Sequence, residues 1–321
     1  MNRWEDLIEV PLPLPFPLKI IKSYLIRGSQ GYTMIDTGLH YQGGLDAWEE
    51  ATKKIGFGWD EVEQIVLTHY HPDHYGLAGL MQQRTGVAVK MSETDYRQAR
   101  LFFDRDSVQP DDMSRFYAEH GLSSDWVQQI PSHLRGFQRW VEPHPEPTFI
   151  QAGDTVRLGD RDYEIFHTPG HADGHLSFYD PERKWLIGGD FLLSKITPNI
   201  SLWPGCDPDP LHSYLHTLEK MKELPVERVF PSHGPVFEDY IERIEALQQH
   251  HRDRLNEMKH TVKEAEKMTA AELCFRIFGE NLSIHNLRFA LAETLAHLEY
   301  LNRCGELIKE KQKGHWVYRG R

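Results

Sequence analysis

The chain has 321 residues, 40% hydrophobic and 26% charged, the balance of a soluble globular protein with room for one large domain and one small one. Its formal net charge of −12 disfavours non-specific adhesion to nucleic acid or to an anionic membrane. No apolar run is long enough to span a bilayer, and the start Met1-Asn2-Arg3-Trp4-Glu5-Asp6 lacks a basic-then-apolar leader, so a cytoplasmic location is expected. Cys206, Cys274 and Cys304 are isolated and odd in number. They read as three reduced thiols buried in a core, not as a disulfide framework or a Cys-based metal site.

Residues 10–38 read as extended. Pro11, Pro13, Pro15 and Pro17 forbid a helix, and Ile20–Ile26 with Tyr32–Ile35 flank Gly28 and Gly31 as a hairpin ending in Asp36-Thr37-Gly38. A helix is expected around 43–56, a short buried strand at Glu63–Leu67, a helix at 75–85 and a strand at Val87–Val89. This alternation favours a layered α/β fold. Residues 92–142 read as a helical insertion rich in aromatics (Phe102, Phe103, Phe116, Tyr117, Trp126, Phe137, Trp140). These either pack the segment onto a core or form the apolar inner face of a lid over a cleft. Short strands return over 149–189, a helix over 209–223, and a brief strand at Val229-Phe230. A charged helix covers 237–263. Thr269-Ala-Ala-Glu272 is a capping-box pattern that opens a helix ending near Gly279. Leu287, Leu291, Leu295, Leu298 and Leu301 recur at helical spacing up to Gly305, and a hairpin turns at Lys313-Gly314. Helix, helix, hairpin resembles a winged helix, so the division expected is a catalytic domain over 1–262 and a small winged-helix-like domain over 263–321. That tail carries ten Lys and Arg against eight Asp and Glu, so the strong acidity lies in the remainder.

The chemistry concentrates in Thr68-His69-Tyr70-His71-Pro72-Asp73-His74. At a strand end, His69 and His71 are two apart and project to one side, so they can share an ion. Asp73 and His74 lie on the turn into the next helix and suit a second ion. Nitrogen and oxygen donors without thiolate fit Zn²⁺ first; manganese and iron suit the same donors. Two ions need further ligands from distant chain. His171 in Thr168-Pro-Gly-His171, Asp190 in Gly188-Gly-Asp190 and His233 in Pro231-Ser-His-Gly234 each follow a predicted strand, and strand ends of a layered α/β protein meet on one rim. His175, four residues after His171, is either a supporting partner or merely exposed.

The pattern His-x-His-x-Asp-His at 69–74, followed by His171, Asp190 and His233 and preceded by Asp36-Thr37-Gly38, resembles the metallo-β-lactamase superfamily over roughly residues 8–240. The resemblance implies an αββα sandwich with two Zn²⁺ per chain at one edge. It implies that His69, His71 and His171 hold one ion, that Asp73, His74 and His233 hold the other, that Asp190 bridges them, and that Asp36 supports the ligands from behind. The acid at Asp190 is similar to the glyoxalase II, lactonase and nuclease-like branches and unlike antibiotic-degrading lactamases. His71 in place of Glu argues against the di-iron flavoproteins. The tail resembles the appendage of the lactamase-β-like branch, which includes thioesterases and enzymes that cut single-stranded RNA. The glutathione-binding pattern of glyoxalase II is not found.

The expected activity is hydrolysis of a carboxylic ester or thioester by a metal-bridging hydroxide, with Asp73 orienting it and moving a proton. The acidic body and the aromatic insertion suit a small acyl substrate, with Tyr70, Tyr75 and Trp203 as candidate pocket walls. The alternative is an endoribonuclease acting on single-stranded RNA through Lys309, Lys311, Lys313, Arg319 and Arg321 of the tail hairpin. The acidity of the remainder disfavours it and leaves the tail as a packing or homodimer-forming module. A binding protein with a relic site is the least economical reading, because a structural zinc needs four ligands and seven are present.

Overall fold

A computed structural model describes residues 1–321. The chain divides into two compact units, the first made of residues 1–103, 137–198 and 224–240. It opens with strands β1 (Arg3–Trp4), β2 (Leu7–Pro13), β3 (Ile20–Arg27) and β4 (Tyr32–Ile35), paired in antiparallel order. The chain then alternates: helix α1 (Gln42–Ile55), strand β5 (Val62–Val66), helices α2 (Pro72–Tyr75) and α3 (Ala78–Thr85), strand β6 (Ala88–Met91), helix α4 (Glu93–Phe103) and strand β7 (Pro147–Phe149). Strands β4 to β7 are therefore parallel, as helical crossovers require, and complete a seven-stranded sheet in sequence order. Gly56 and Gly86 end α1 and α3 in the left-handed conformation that glycine adopts without penalty.

A second sheet, in the order β12-β11-β10-β9-β8, is built from β8 (Thr155–Leu158), β9 (Arg161–His167), β10 (Leu176–Asp180), β11 (Trp185–Gly189) and β12 (Arg228–Pro231). The sheets meet face to face. Leu7, Tyr24, Ile26, Ile35 and Val66 from the first pack with Val156, Tyr163, Ile165, Phe178, Ile187 and Phe230 from the second in one cluster. This is the expected α/β sandwich. Strands β4, β10 and β11 are buried along their whole length, polar Thr33, Ser177 and Asp180 included.

The second unit comprises residues 104–136, 199–223 and 241–321. It contains α5 (Gln109–Glu119), α6 (Ser124–Val127), α7 (Ile130–Arg135), α8 (Pro210–Met221), α9 (Tyr240–Glu264), β13 (Lys267–Met268), α10 (Ala270–Phe278), α11 (Ile284–Arg303), β14 (Leu307–Gln312) and β15 (His315–Gly320). The capping box at Thr269 and Glu272 forms as its sequence requires. The hairpin turns through Lys313 and Gly314, both at positive φ. The segment over 263–321 is not folded on itself alone. Helix α11 buries ten residues, more than one face, and packs on α7, α8 and α10 as well as on β14. The aromatics of 92–142 are divided. Phe102, Phe103 and Phe137 are buried in the first unit and Tyr117 in the second, while Phe116, Trp126 and Trp140 are half-buried. The thiols also differ from expectation. Cys274 is buried, Cys206 is half-buried and Cys304 is exposed at the end of α11, where the last turn faces water.

Candidate metal centre

Strand ends build the site. Strand β4 delivers Asp36, β5 delivers Thr68 and His69, β9 delivers Thr168 to His171, β11 delivers Asp190 and β12 delivers His233. His71, Asp73 and His74 sit on the short helix α2 and its N-cap, where Pro72 takes the first helical position. All seven donors expected from the sequence come together. His69 Nε2 lies 3.0 Å from His71 Nδ1, which lies 2.9 Å from His171 Nε2. His233 Nε2 lies 3.3 Å and His74 Nε2 3.9 Å from Asp73 Oδ2. Asp190 Oδ2 stands between the two triads, 3.4 Å from His171 Nε2 and 3.6 Å from both His74 Nε2 and His233 Nε2.

Hydrogen bonds behind the ligands decide which nitrogen each presents. Asp36, at φ 56°, aims its carboxylate back into the site. Its Oδ1 accepts the Thr68 amide at 2.8 Å, and its Oδ2 accepts the Thr68 hydroxyl at 2.8 Å and His74 Nδ1–H at 2.7 Å. The Thr68 hydroxyl, its proton engaged, is an acceptor 3.0 Å from His69 Nδ1. His233 Nδ1–H donates to the Ile20 carbonyl at 2.9 Å. His69, His74 and His233 therefore all turn a bare Nε2 lone pair inward, the tautomer a metal ligand needs.

The donors fit a pair of divalent ions on chemical grounds. Nitrogens about 3 Å apart are the spacing expected of ligands on one ion with bonds of roughly 2.0–2.1 Å. His74 Nε2 and Asp190 Oδ1 are buried with no hydrogen-bond partner, an arrangement that costs about 1–3 kcal/mol per group unless a cation takes the lone pair. Burial, with the adjacent His74 and His71, drives the His69 pKa well below its ordinary value; burial and His171 do the same to His71. Both stay neutral and able to ligate. Burial opposes charge on His74 as well, but Asp36, Asp190 and Asp73 outweigh it and raise its pKa, so a metal ion taking its Nε2 lone pair must displace a proton there. Burial pushes Asp73 upward, yet His74 and His233 prevail and hold it at about 2.

His175 is not exposed. It is buried, its Nε2 accepts the Asp190 amide at 3.1 Å, and its Nδ1–H donates to Thr168 Oγ1 at 2.8 Å. Its pKa is lowered by burial and by His171, which keeps Nε2 available as that acceptor. Gly189, at φ 53°, passes so close that a Cβ there would meet His175 Nε2 at 2.5 Å. The spacing of His171 and His175 across one turn was the only sequence signal for this contact. Among the candidate pocket walls, Tyr70 is buried with its ring stacked on Phe102 at 6.0 Å. Tyr75 is fully buried, its hydroxyl 2.8 Å from His144 Nδ1, which makes it part of the interior. Trp203 is a buried residue of the second unit.

Fold and site define a metallohydrolase class, and the comparisons agree. The model of the metallo-beta-lactamase superfamily matches residues 17–233, and that of the metallo-beta-lactamase-like C-terminal domain matches residues 255–321. The chain belongs to the metallo-beta-lactamase superfamily and is an enzyme of the hydrolase class. It is 26% identical over 319 residues to the probable metallo-hydrolase YqjP of Bacillus subtilis, covering 98% of this chain and 97% of that one. It is 30% identical over 231 residues to the acyl-coenzyme A thioesterase MBLAC2 of Homo sapiens, covering 67% of this chain and 73% of that one. The crystal structure of the metallo-beta-lactamase family protein TTHA1429 from Thermus thermophilus superposes with a TM-score of 0.87 at 30% identity, over 99% of both chains.

Proposed function

We propose that the chain is a two-zinc hydrolase of a carboxylic ester or thioester with a small-molecule acyl substrate. The meeting of His69, His71 and His171 as one triad and Asp73, His74 and His233 as another, with Asp190 between them, carries this reading. The two triads and Asp190 would hold a pair of zinc ions, which would supply an activated water with its pKa brought toward ~7 and Lewis-acid polarisation of a carbonyl. The chain's own part is to hold these donors rigidly and to move protons. We assign the proton-moving role to Asp73: its side chain is 20% exposed against 8% for Asp190, so it is the more solvent-accessible carboxylate of the set. The likeness to an acyl-coenzyme A thioesterase supports the thioester over other carbonyl substrates.

The order strand, helix, helix, strand, strand over residues 267–320 supports reading the tail as a winged helix. An RNA-cutting activity has less support. Lys309, Lys311 and Arg319 lie 3.3, 3.9 and 3.3 Å from Glu299, Glu119 and Glu310, so the hairpin's charge is largely answered from within. The test is a panel of acyl-thioesters, lactones and single-stranded RNA with zinc-loaded protein. Turnover of an acyl-thioester that disappears, together with bound metal, in His69→Ala and Asp190→Ala is the expected result. Full activity in either variant, or cleavage of RNA alone, overturns the assignment.

A further inference from the structure

Two loops carry the first triad: His69 and His71 lie on the loop after β5, and His171 lies on the loop after β9. The loops are a hundred residues apart in sequence; the Leu176 amide donates to the Thr68 carbonyl at 2.8 Å, and a second link runs through helix α4. Asp95, on the first turn of that helix, has no exposed surface. Its Oδ2 accepts the amide of Tyr70, the residue between His69 and His71, at 3.1 Å. Its Oδ1 accepts the amide of Gly174, in the turn after His171, at 2.6 Å. The Ser92 hydroxyl accepts the Asp95 amide at 3.1 Å and holds the turn. Gly174 permits the approach: a Cβ there would collide with Ser92 Oγ and meet Asp95 Oδ1 at 2.6 Å. The Tyr70 ring completes the grip, lying 6.0 and 6.2 Å from the rings of Phe102 and Phe103 further along α4.

We propose that Asp95 is a positioning residue for the first ion: one carboxylate ties the His69–His71 loop to the His171 loop, so that the three imidazoles stand in register before metal arrives. Burial and the nearby Asp173 raise the Asp95 pKa, and the Gly174 and Tyr70 amides oppose that rise because they bond to the carboxylate form. An amide side chain would have served packing equally well but could not accept from both loops, since one of its two ends is a donor. Asp73, His74 and His233 receive no bond from Asp95, so the second triad depends on it only indirectly, through the shared 69–74 segment and Asp190.

The inference rests on the two-metal reading and is tested by Zn²⁺ titration of the metal-free full chain against a chromogenic chelator. Wild type and Asp95→Asn are compared, with folding verified by circular dichroism. Wild type takes two ions. Asp95→Asn keeps one at unchanged affinity and binds the other roughly 10- to 100-fold more weakly, the usual cost of losing a group that orients metal ligands. Two unchanged affinities in the variant, or equal weakening of both, overturn the role of Asp95 while leaving the two-metal site intact. Fewer than two ions in the wild type overturn the two-metal reading itself. Should Asp95→Asn not fold, Ser92→Ala loosens the same turn more gently; weakening of one ion alone supports the clamp, and no change refutes it.

Discussion

Lowering the pH should unfold the second unit through its buried histidines, and His120 offers the cleanest measure. His120, His251 and His297 are 1%, 2% and 0% exposed. Burial is the leading cause that takes the pKa of His120 and His297 down to about 4 and that of His251 to about 2. These groups are neutral when folded and protonate near 6.5 when unfolded, so their contribution is complete above pH 6.5 and is lost as pH falls from 6.5 toward 4. At pH 5, about 1.5 below that ordinary value, each disfavours the folded form by about 2 kcal/mol, and the three together by about 6 kcal/mol. That is comparable to the roughly 5–15 kcal/mol that holds a typical domain. His120 is hydrogen-bonded through Nδ1 to the Phe116 carbonyl, and its buried Nε2 has no partner that could accept a proton's bond. The assay is urea denaturation at pH 7.5 and pH 5 for wild type and His120→Gln. The difference between the two pH values should shrink by about 2 kcal/mol in the variant. The metal ligands titrate alike in both proteins and cancel. A drop in stability identical to that of the wild type would refute the reasoning.

Asp36→Asn can keep the left-handed backbone but loses an acceptor shared by Thr68 and His74; metal content after dialysis should fall, with affinity reduced about 10- to 100-fold. His175→Ala strands the Asp190 amide and leaves a small void, and a loss of about 2–4 kcal/mol in thermal or urea unfolding is expected. Chelation should lower the melting temperature, and restoring Zn²⁺ should recover it in a concentration-dependent way, because ligand bound only to the folded state stabilises it by mass action.

Much of this was legible in the order of residues. His69, His71, Asp73 and His74 announce themselves because four potential ligands in six positions have few other uses, and His171, Asp190 and His233 each follow an apolar strand run. Asp95 and His175 were less visible because their roles depend on backbone amides of Tyr70, Gly174 and Asp190, which carry no sequence signature. Tyr75 reads as a pocket wall from its place beside His74, yet the turn of α2 sends it inward toward His144. The extent of the second unit was hidden for a similar reason. The leucine spacing of α11 reveals one buried face, while its alanines, Ala290, Ala292 and Ala296, are buried too and admit neighbours from distant segments.

The catalytic unit is closed by bonds between its first hairpin and its last strand. His233 leans on the Ile20 carbonyl, the Tyr24 hydroxyl donates to the Pro231 carbonyl at 2.7 Å, and the Lys22 amide donates to the Ser232 carbonyl at 2.8 Å. A ribosome making this protein must therefore release more than two hundred residues before the Asp73, His74 and His233 cluster is complete. Until then the early hairpin waits with an unclosed edge, a slow and aggregation-exposed interval that such long-range pairing imposes on the nascent chain.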